Sequence, residues 1–355
     1  MDLQQTLALQ GWIVARGLSG AGEAELLQGF CERLVAAGMP LRRALIGSDT
    51  LHPIVEARTA RWELGAGDAE HSEYARLQTS EEDWLRSPLY ALEASRAPSL
   101  RRRLTDGYRQ GEFPVLDRLR AEGFTDYVAA RTAFDDPEPF GQVDSVYSSW
   151  ATDRRGGFGD DDLAAIDALL PSLALAVKAA ATAWMARTLM ATYLGRDAGR
   201  RVLRGDIERG RAQSLPAIIW YSDLEGFTRI TDTLPRDQLV PLLNEYADCL
   251  ATAIHAYDGQ VLKFMGDGLL AVFGLDGAGL ACERALDAAE AALAGVVALN
   301  GRRREAGLSV TRCCLGLHVG EVLYGNIGSV DRLDFTVVGP AVNEASRIER
   351  MCRSL

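Results

Sequence analysis

Two carboxylates, Asp223 and Asp267, stand at the ends of apolar runs, where they could hold a hard divalent cation. Asp223 follows Ala217-Ile218-Ile219-Trp220-Tyr221, a continuous run rich in β-branched and aromatic residues that reads as a buried strand. Asp267 sits in Met265-Gly266-Asp267-Gly268, between the apolar runs Gln260–Phe264 and Leu269–Phe273. That pattern predicts a hairpin whose glycines supply the dihedrals of a tight turn. Taken singly, Asp223 reads as a helix cap and Asp267 as a turn residue. Together, beside glycine-rich backbone, they suit Mg²⁺, which takes oxygen ligands, keeps waters and is completed by substrate phosphates.

The elements that must bring the two together are also legible. Leu239, Leu242, Leu243, Tyr246, Leu250 and Ile254 recur mostly three or four apart, so a helix is expected over about 235–257. A strand, a crossover helix and a parallel strand close right-handed, and the hairpin then runs back. In a ferredoxin-like sheet with the first strand beside the hairpin, Asp223 and Asp267 emerge at one end.

Three segments, "SDLEGFT", "KFMGDGLLAVFG" and "DFTVVGPAVNEASRIE", resemble in order and spacing the class III nucleotidyl cyclase catalytic domain. The likeness runs from about Arg211 to the end of the chain, and the GGDEF signature of the diguanylate cyclases is absent. The resemblance implies a βαββαβ core that converts ATP to cyclic AMP and pyrophosphate without a protein nucleophile. It assigns Asp223, Asp267 and the backbone of Leu224 to two Mg²⁺ or Mn²⁺ ions per active site, and Gly226, Phe227 and Thr228 to phosphate. Lys263 and Thr336 fall at its base-reading positions. Lys263 is donor-only and matches adenine N1, and the Thr336 hydroxyl accepts from the exocyclic amine, as in a Thr-type subgroup. Asn343 and Arg347, four apart on one helix face, are assigned to the ribose and to the charge developing on the phosphate. In the family these halves come from two subunits, so a symmetric homodimer is expected.

Two departures stand out. Glu225 occupies a position where the family often has Arg. The domain also looks shortened at Leu355, which leaves the family's phosphate-contacting lysine unassigned. The competing expectation is a non-catalytic nucleotide-binding or dimerisation module.

The 355 residues suffice for two domains. A net charge of −11 argues against a nucleic-acid partner. The six cysteines form no C-x-x-C pair and suit a reducing, cytoplasmic setting. No signal peptide is read, and Pro171, Lys178 and Arg187 interrupt the apolar stretch 163–194, so no membrane span is expected.

Residues 1–162 alternate helical and strand patterns and read as an α+β sensory module. Its tail, "GGFGDDDLAAIDALLPSLALAVKAA", resembles that of a GAF domain, with a PAS-like fold as the alternative. The ligand, a small molecule or a chromophore, is not named by the sequence, and Trp12, Trp62 and Trp150 read as core. Strands are expected over 124–134, weakened by an inward Asp126, and over 143–151. Residues 68–87 read as loop or exposed structure, and Arg101-Arg102-Arg103 as a solvated face or a small anion site. Residues 163–211 read as a long helix and a linker, with 195–210 the linker proper, leading to the catalytic domain at 212–355.

Overall fold

The computed structural model describes residues 1–75, 81–105, 107–138, 140–141, 143–274 and 281–352. The chain divides into two units, Met1–Thr188 and Leu189–Leu355.

In the first unit the elements run α1 (Leu3–Leu18), α2 (Glu23–Ala36), β1 (Arg43–Asp49), β2 (Val55–Glu63), β3 (Glu70–Ala75), α3 (Glu81–Leu85) and α4 (Pro88–Ser95). There follow β4 (Ser99–Arg103), α5 (Pro114–Ala121), β5 (Asp126–Ala133), β6 (Ser145–Thr152) and α6 (Asp160–Leu194), the last running on past the unit boundary. The six strands form an antiparallel sheet in the order β3-β2-β1-β6-β5-β4. One face buries Ile13, Leu26, Phe30, Trp62, Trp150, Ile166 and Leu169 in a common core. Leu92, Leu116, Leu119, Tyr127 and Ala129 form a second cluster with α4 and α5.

The inward aspartate and the arginine run answer one another. Asp126, which weakens a strand reading because it points inward, is fully buried and satisfied. It accepts from Arg101 Nη2 at 2.7 Å and from the Phe158 N–H at 2.9 Å. The arginine run is therefore neither a free solvated face nor an open anion site. Arg101 pairs with Asp126, Arg102 with Glu112 at 2.6 Å, and Arg103 with the Gly156 carbonyl. Within 68–87 an exposed edge strand, β3, forms; residues 76–80 lie outside the described residues. Three aspartates open α6, where they oppose the positive end of the helix dipole. By length and composition alone α6 could cross a membrane. Of its most apolar window 44% is buried, and Leu169, Leu173 and Val177 belong to the core of this unit.

In the second unit, 195–210 is more than a linker, because α7 (Arg196–Leu203) forms there and buries Ala198. Then come β7 (Ala212–Leu224), α8 (Phe227–Thr233), α9 (Arg236–Ala256), β8 (Gln260–Met265) and β9 (Gly268–Phe273). The chain continues through α10 (Ala281–Glu305), β10 (Cys313–Gly328), β11 (Leu333–Val338) and α11 (Pro340–Cys352). The antiparallel sheet has the order β11-β10-β7-β9-β8. β8 thus lies beyond β9, parallel to β7, and α8 and α9 make the crossover.

β7 is a continuous apolar run because both of its faces are covered. Ile218 and Trp220 pack with Leu242, Tyr246, Leu250 and Ile254 of α9 and with the alanines of α10. Leu215, Ala217 and Ile219 pack with Ala198 of α7 and with Ala341 and Ala345 of α11. Burying Trp220 alone contributes about 2–3 kcal/mol of apolar transfer.

Candidate active site

β7 delivers Asp223 at its C-terminal end, and the β8–β9 turn delivers Asp267. The register pairs Ser222 with Leu269 and Met265 with Gly268, so the turn projects beside the end of β7. The Leu224 N–H is shared between the two carboxylates, 3.1 Å from Asp223 Oδ1 and 3.3 Å from Asp267 Oδ2. Glycine suits this turn for two reasons, a left-handed backbone and a close approach. Gly266 has φ +69°, and a Cβ at Gly268 would lie 3.3 Å from the Ser222 carbonyl and 3.5 Å from Asp223 Oδ1.

Burial, a hydrogen bond to Asp223 and its negative charge push the Asp267 carboxyl up to about 6. Two neighbouring carboxylates whose mutual repulsion opposes full ionisation suit a divalent cation, which would relieve it, so the residues present fit Mg²⁺ or Mn²⁺. Among the described residues no cluster of three or more His, Cys, Asp or Glu side chains is placed to hold a metal. An ion on this pair would draw its remaining oxygen ligands from backbone carbonyls, water and substrate. A cavity of about 340 Å³ opens beside Asp267, walled by Leu243, Ala247 and Asp248 of α9 and by Phe264.

Gly226, Phe227 and Thr228 follow directly. Gly226 caps α8 in the left-handed region, and the first turn of any helix lacks carbonyl partners for its N–H groups. Glu225, the departure from the family pattern, is answered across the strand pair by Arg312, whose Nη2 lies 2.8 Å from Glu225 Oε1. The sequence carries no local sign of that pairing.

Lys263 reaches from β8 to β11, where its Nζ donates to Asp334 Oδ2 at 2.7 Å. Thr336 lies two residues beyond Asp334 on the same face of β11. It is 5% exposed, and its Oγ1 is buried without a hydrogen-bond partner. A lysine head and an unsatisfied hydroxyl thus belong to one neighbourhood.

Asn343 and Arg347 stand apart from this group. Both are exposed on α11, whose opposite side, Ala341, Ala345 and Glu349, is buried. Two glycines of β10 let α11 lie against the sheet. A Cβ at Gly316 would meet the Ala345 carbonyl at 2.5 Å, and one at Gly320 would meet Ala341 Cβ at 2.8 Å. The Arg347 guanidinium pairs with Glu344 on its own helix at 2.7 Å. Within one chain, Asp223, Leu224, Asp267 and 226–228 come together and Lys263 joins the strand of Thr336, while Asn343 and Arg347 face outward.

The second unit is similar in sequence to known proteins. Residues 212–354 match the family model of the adenylate and guanylate cyclase catalytic domain. Adenylate cyclase 1 of Rhizobium meliloti is 31% identical over 165 residues, which cover 45% of this chain and 24% of that protein. An adenylate cyclase of Anabaena cylindrica is 32% identical over 152 residues, 42% of this chain and 30% of that protein. The chain therefore spans only about a quarter to a third of these relatives' lengths. Among solved structures, the adenylyl cyclase CyaB from P. aeruginosa is 28% identical, covering 40% of this chain and 74% of that one, with a TM-score of 0.38. The guanylyl cyclase Cya2 is 33% identical, covering 39% of this chain and 72% of that one, with a TM-score of 0.38. The family model and the relatives together support a class III adenylate/guanylate cyclase catalytic domain in the second unit.

Proposed function

We propose that the chain is an adenylate cyclase that forms cyclic AMP and pyrophosphate from ATP at sites shared by two copies. The carrying observation is the Asp223–Asp267 pair at one sheet end, sharing the Leu224 N–H. Divalent ions held by Asp223, Asp267 and the Leu224 carbonyl would make the ribose 3′-hydroxyl more acidic and offset the charge of the triphosphate. The sheet order β10-β7-β9-β8, with helices returning on one face, supports a ferredoxin-like core.

The remaining roles belong to the chain's own groups. The N–H groups of Gly226, Phe227 and Thr228 are available to phosphate oxygens. The Lys263 ammonium has three donors; one is fixed on Asp334 and the others are free to meet adenine N1. The orphaned Thr336 hydroxyl accepts from the adenine amine, which would satisfy it. Guanine presents the opposite pattern at these two atoms, so the pair favours ATP. Asn343 orients the ribose, and Arg347 meets the charge that builds on the phosphate. Both face away from their own sheet, which supports their serving a second chain's carboxylates.

In this reading the first unit is a GAF-like or PAS-like sensor for a small molecule or chromophore, and the protein works in the cytoplasm in signal transduction. The six-stranded antiparallel sheet between helical layers supports the sensor assignment.

The test is product analysis. The full chain with Mn²⁺ and ATP should yield cyclic AMP and equimolar pyrophosphate by mass spectrometry, with far less cyclic GMP from GTP. Lys263→Glu should weaken ATP use at least tenfold while leaving the unfolding midpoint nearly unchanged. Cyclic GMP as the main wild-type product, or an unaltered ATP preference in the variant, would refute the base-reading roles.

A further inference from the structure

Three buried polar side chains that take no part in this chemistry meet behind Glu225. Tyr246 of α9, Asn300 of α10 and Thr311, two residues before β10, are 1%, 6% and 6% exposed. The Tyr246 hydroxyl donates to Asn300 Oδ1 and accepts from the Thr311 N–H at 2.9 Å. Asn300 Nδ2 donates to the Thr311 carbonyl at 2.7 Å. Thr311 Oγ1 in turn donates to the Glu225 carbonyl at 2.7 Å, and the Glu225 N–H donates to the Arg312 carbonyl at 2.8 Å.

Apolar side chains would fill the space between α9 and α10 at least as cheaply. A buried polar network costs stability unless it is fully satisfied, and once satisfied it fixes geometry. Here the chain of donors and acceptors ends on the backbone of Glu225, which follows Leu224 directly. Holding both backbone groups of Glu225 sets the direction in which the end of β7 presents the Asp223 carboxylate and the Leu224 carbonyl.

We propose that Tyr246, Asn300 and Thr311 are positioning residues for the Asp223–Leu224 half of the ion site. They act through the Glu225 backbone; Tyr246 also borders the cavity beside Asp267, but its hydroxyl is engaged by Asn300 and Thr311. The inference rests on the cyclase reading for the identity of that site, but its readout is binding of the metal alone.

The experiment titrates Mn²⁺ into the full chain by electron paramagnetic resonance and follows amide hydrogen exchange over 222–230. Thr311→Val removes the hydroxyl and keeps the shape. It should weaken Mn²⁺ binding about threefold to tenfold, the equivalent of one lost hydrogen bond, and speed exchange in that segment. Thr311→Ser should restore both. Tyr246→Phe, one link further back, should shift Mn²⁺ binding in the same direction, and covers the case in which Thr311→Val does not fold. Wild-type Mn²⁺ binding in the folded variants, or a folded Thr311→Ser that fails to restore it, would overturn the proposal. A wild-type chain that binds Mn²⁺ and forms no cyclic nucleotide would instead contradict the cyclase reading.

Discussion

Asp267 is raised by burial and by Asp223 beside it, and the sign of that shift sets a pH dependence. Its carboxyl is raised from an ordinary value of 3.8 to about 6, so between those limits the folded state holds more protons than the unfolded one. The stability contributed by this group is therefore present below about pH 4 and lost as pH rises through about 6. A bound divalent ion reverses the preference, because it binds the ionised pair. The thermal midpoint gained on adding Mn²⁺ should be larger at pH 7.5 than at pH 5; a gain equal at both values would separate the ion from this pair. The two aspartates are legible in the sequence because Asp223 closely follows an apolar run and Asp267 sits between glycines in the turn joining two others. Their neighbours are not. Asp334 meets Lys263 across 71 residues, and Arg312 meets Glu225 across 87. No local period marks contacts that only the folded sheet creates.

Helices packed at backbone distance carry the second kind of information. Periodicity predicts α9 over 235–257, and the structure places it at Arg236–Ala256. The same reasoning passed over α7, since a charged, glycine-punctuated stretch offers almost no apolar stripe. α7 is instead held by particular contacts. Gly199 lies against the Met190 backbone, where a Cβ would come within 2.7 Å, and Asp197 accepts from the Tyr324 hydroxyl at 3.0 Å. Gly199→Ala should destabilise the second unit by about 1–3 kcal/mol, read from urea unfolding. Gly316→Ala presses on the Ala345 carbonyl and the Glu349 N–H, so it should lift α11 and displace Asn343 and Arg347. Its activity should fall well beyond what its loss of stability explains, with Mn²⁺ binding retained. An active, merely less stable Gly316→Ala would detach α11 from the chemistry.

At the scale of the whole molecule, the two units are each compact, and the chemistry proposed here belongs to the second. Length alone leads to the expectation of two domains, and the structure divides into Met1–Thr188 and Leu189–Leu355, a boundary that no local pattern marks. No ligand for the first unit is legible, because its tryptophans serve packing: Trp62 and Trp150 lie in the core, and Trp12 is stacked under Arg33 at 4.1 Å. The second unit displays its carboxylate half at one sheet end and its Asn343–Arg347 half on an outward helix face. A site complete only between two copies makes a quantitative demand. Asp223→Ala and Arg347→Ala chains should each be inactive alone. Mixed in equal amounts and allowed to exchange, half of the dimers are mixed, and each mixed dimer has one intact site of two. Cyclic AMP formation should therefore return to about one quarter of the wild-type rate. A mixture that stays inactive, with mixed dimers demonstrated by native mass spectrometry, would contradict the account.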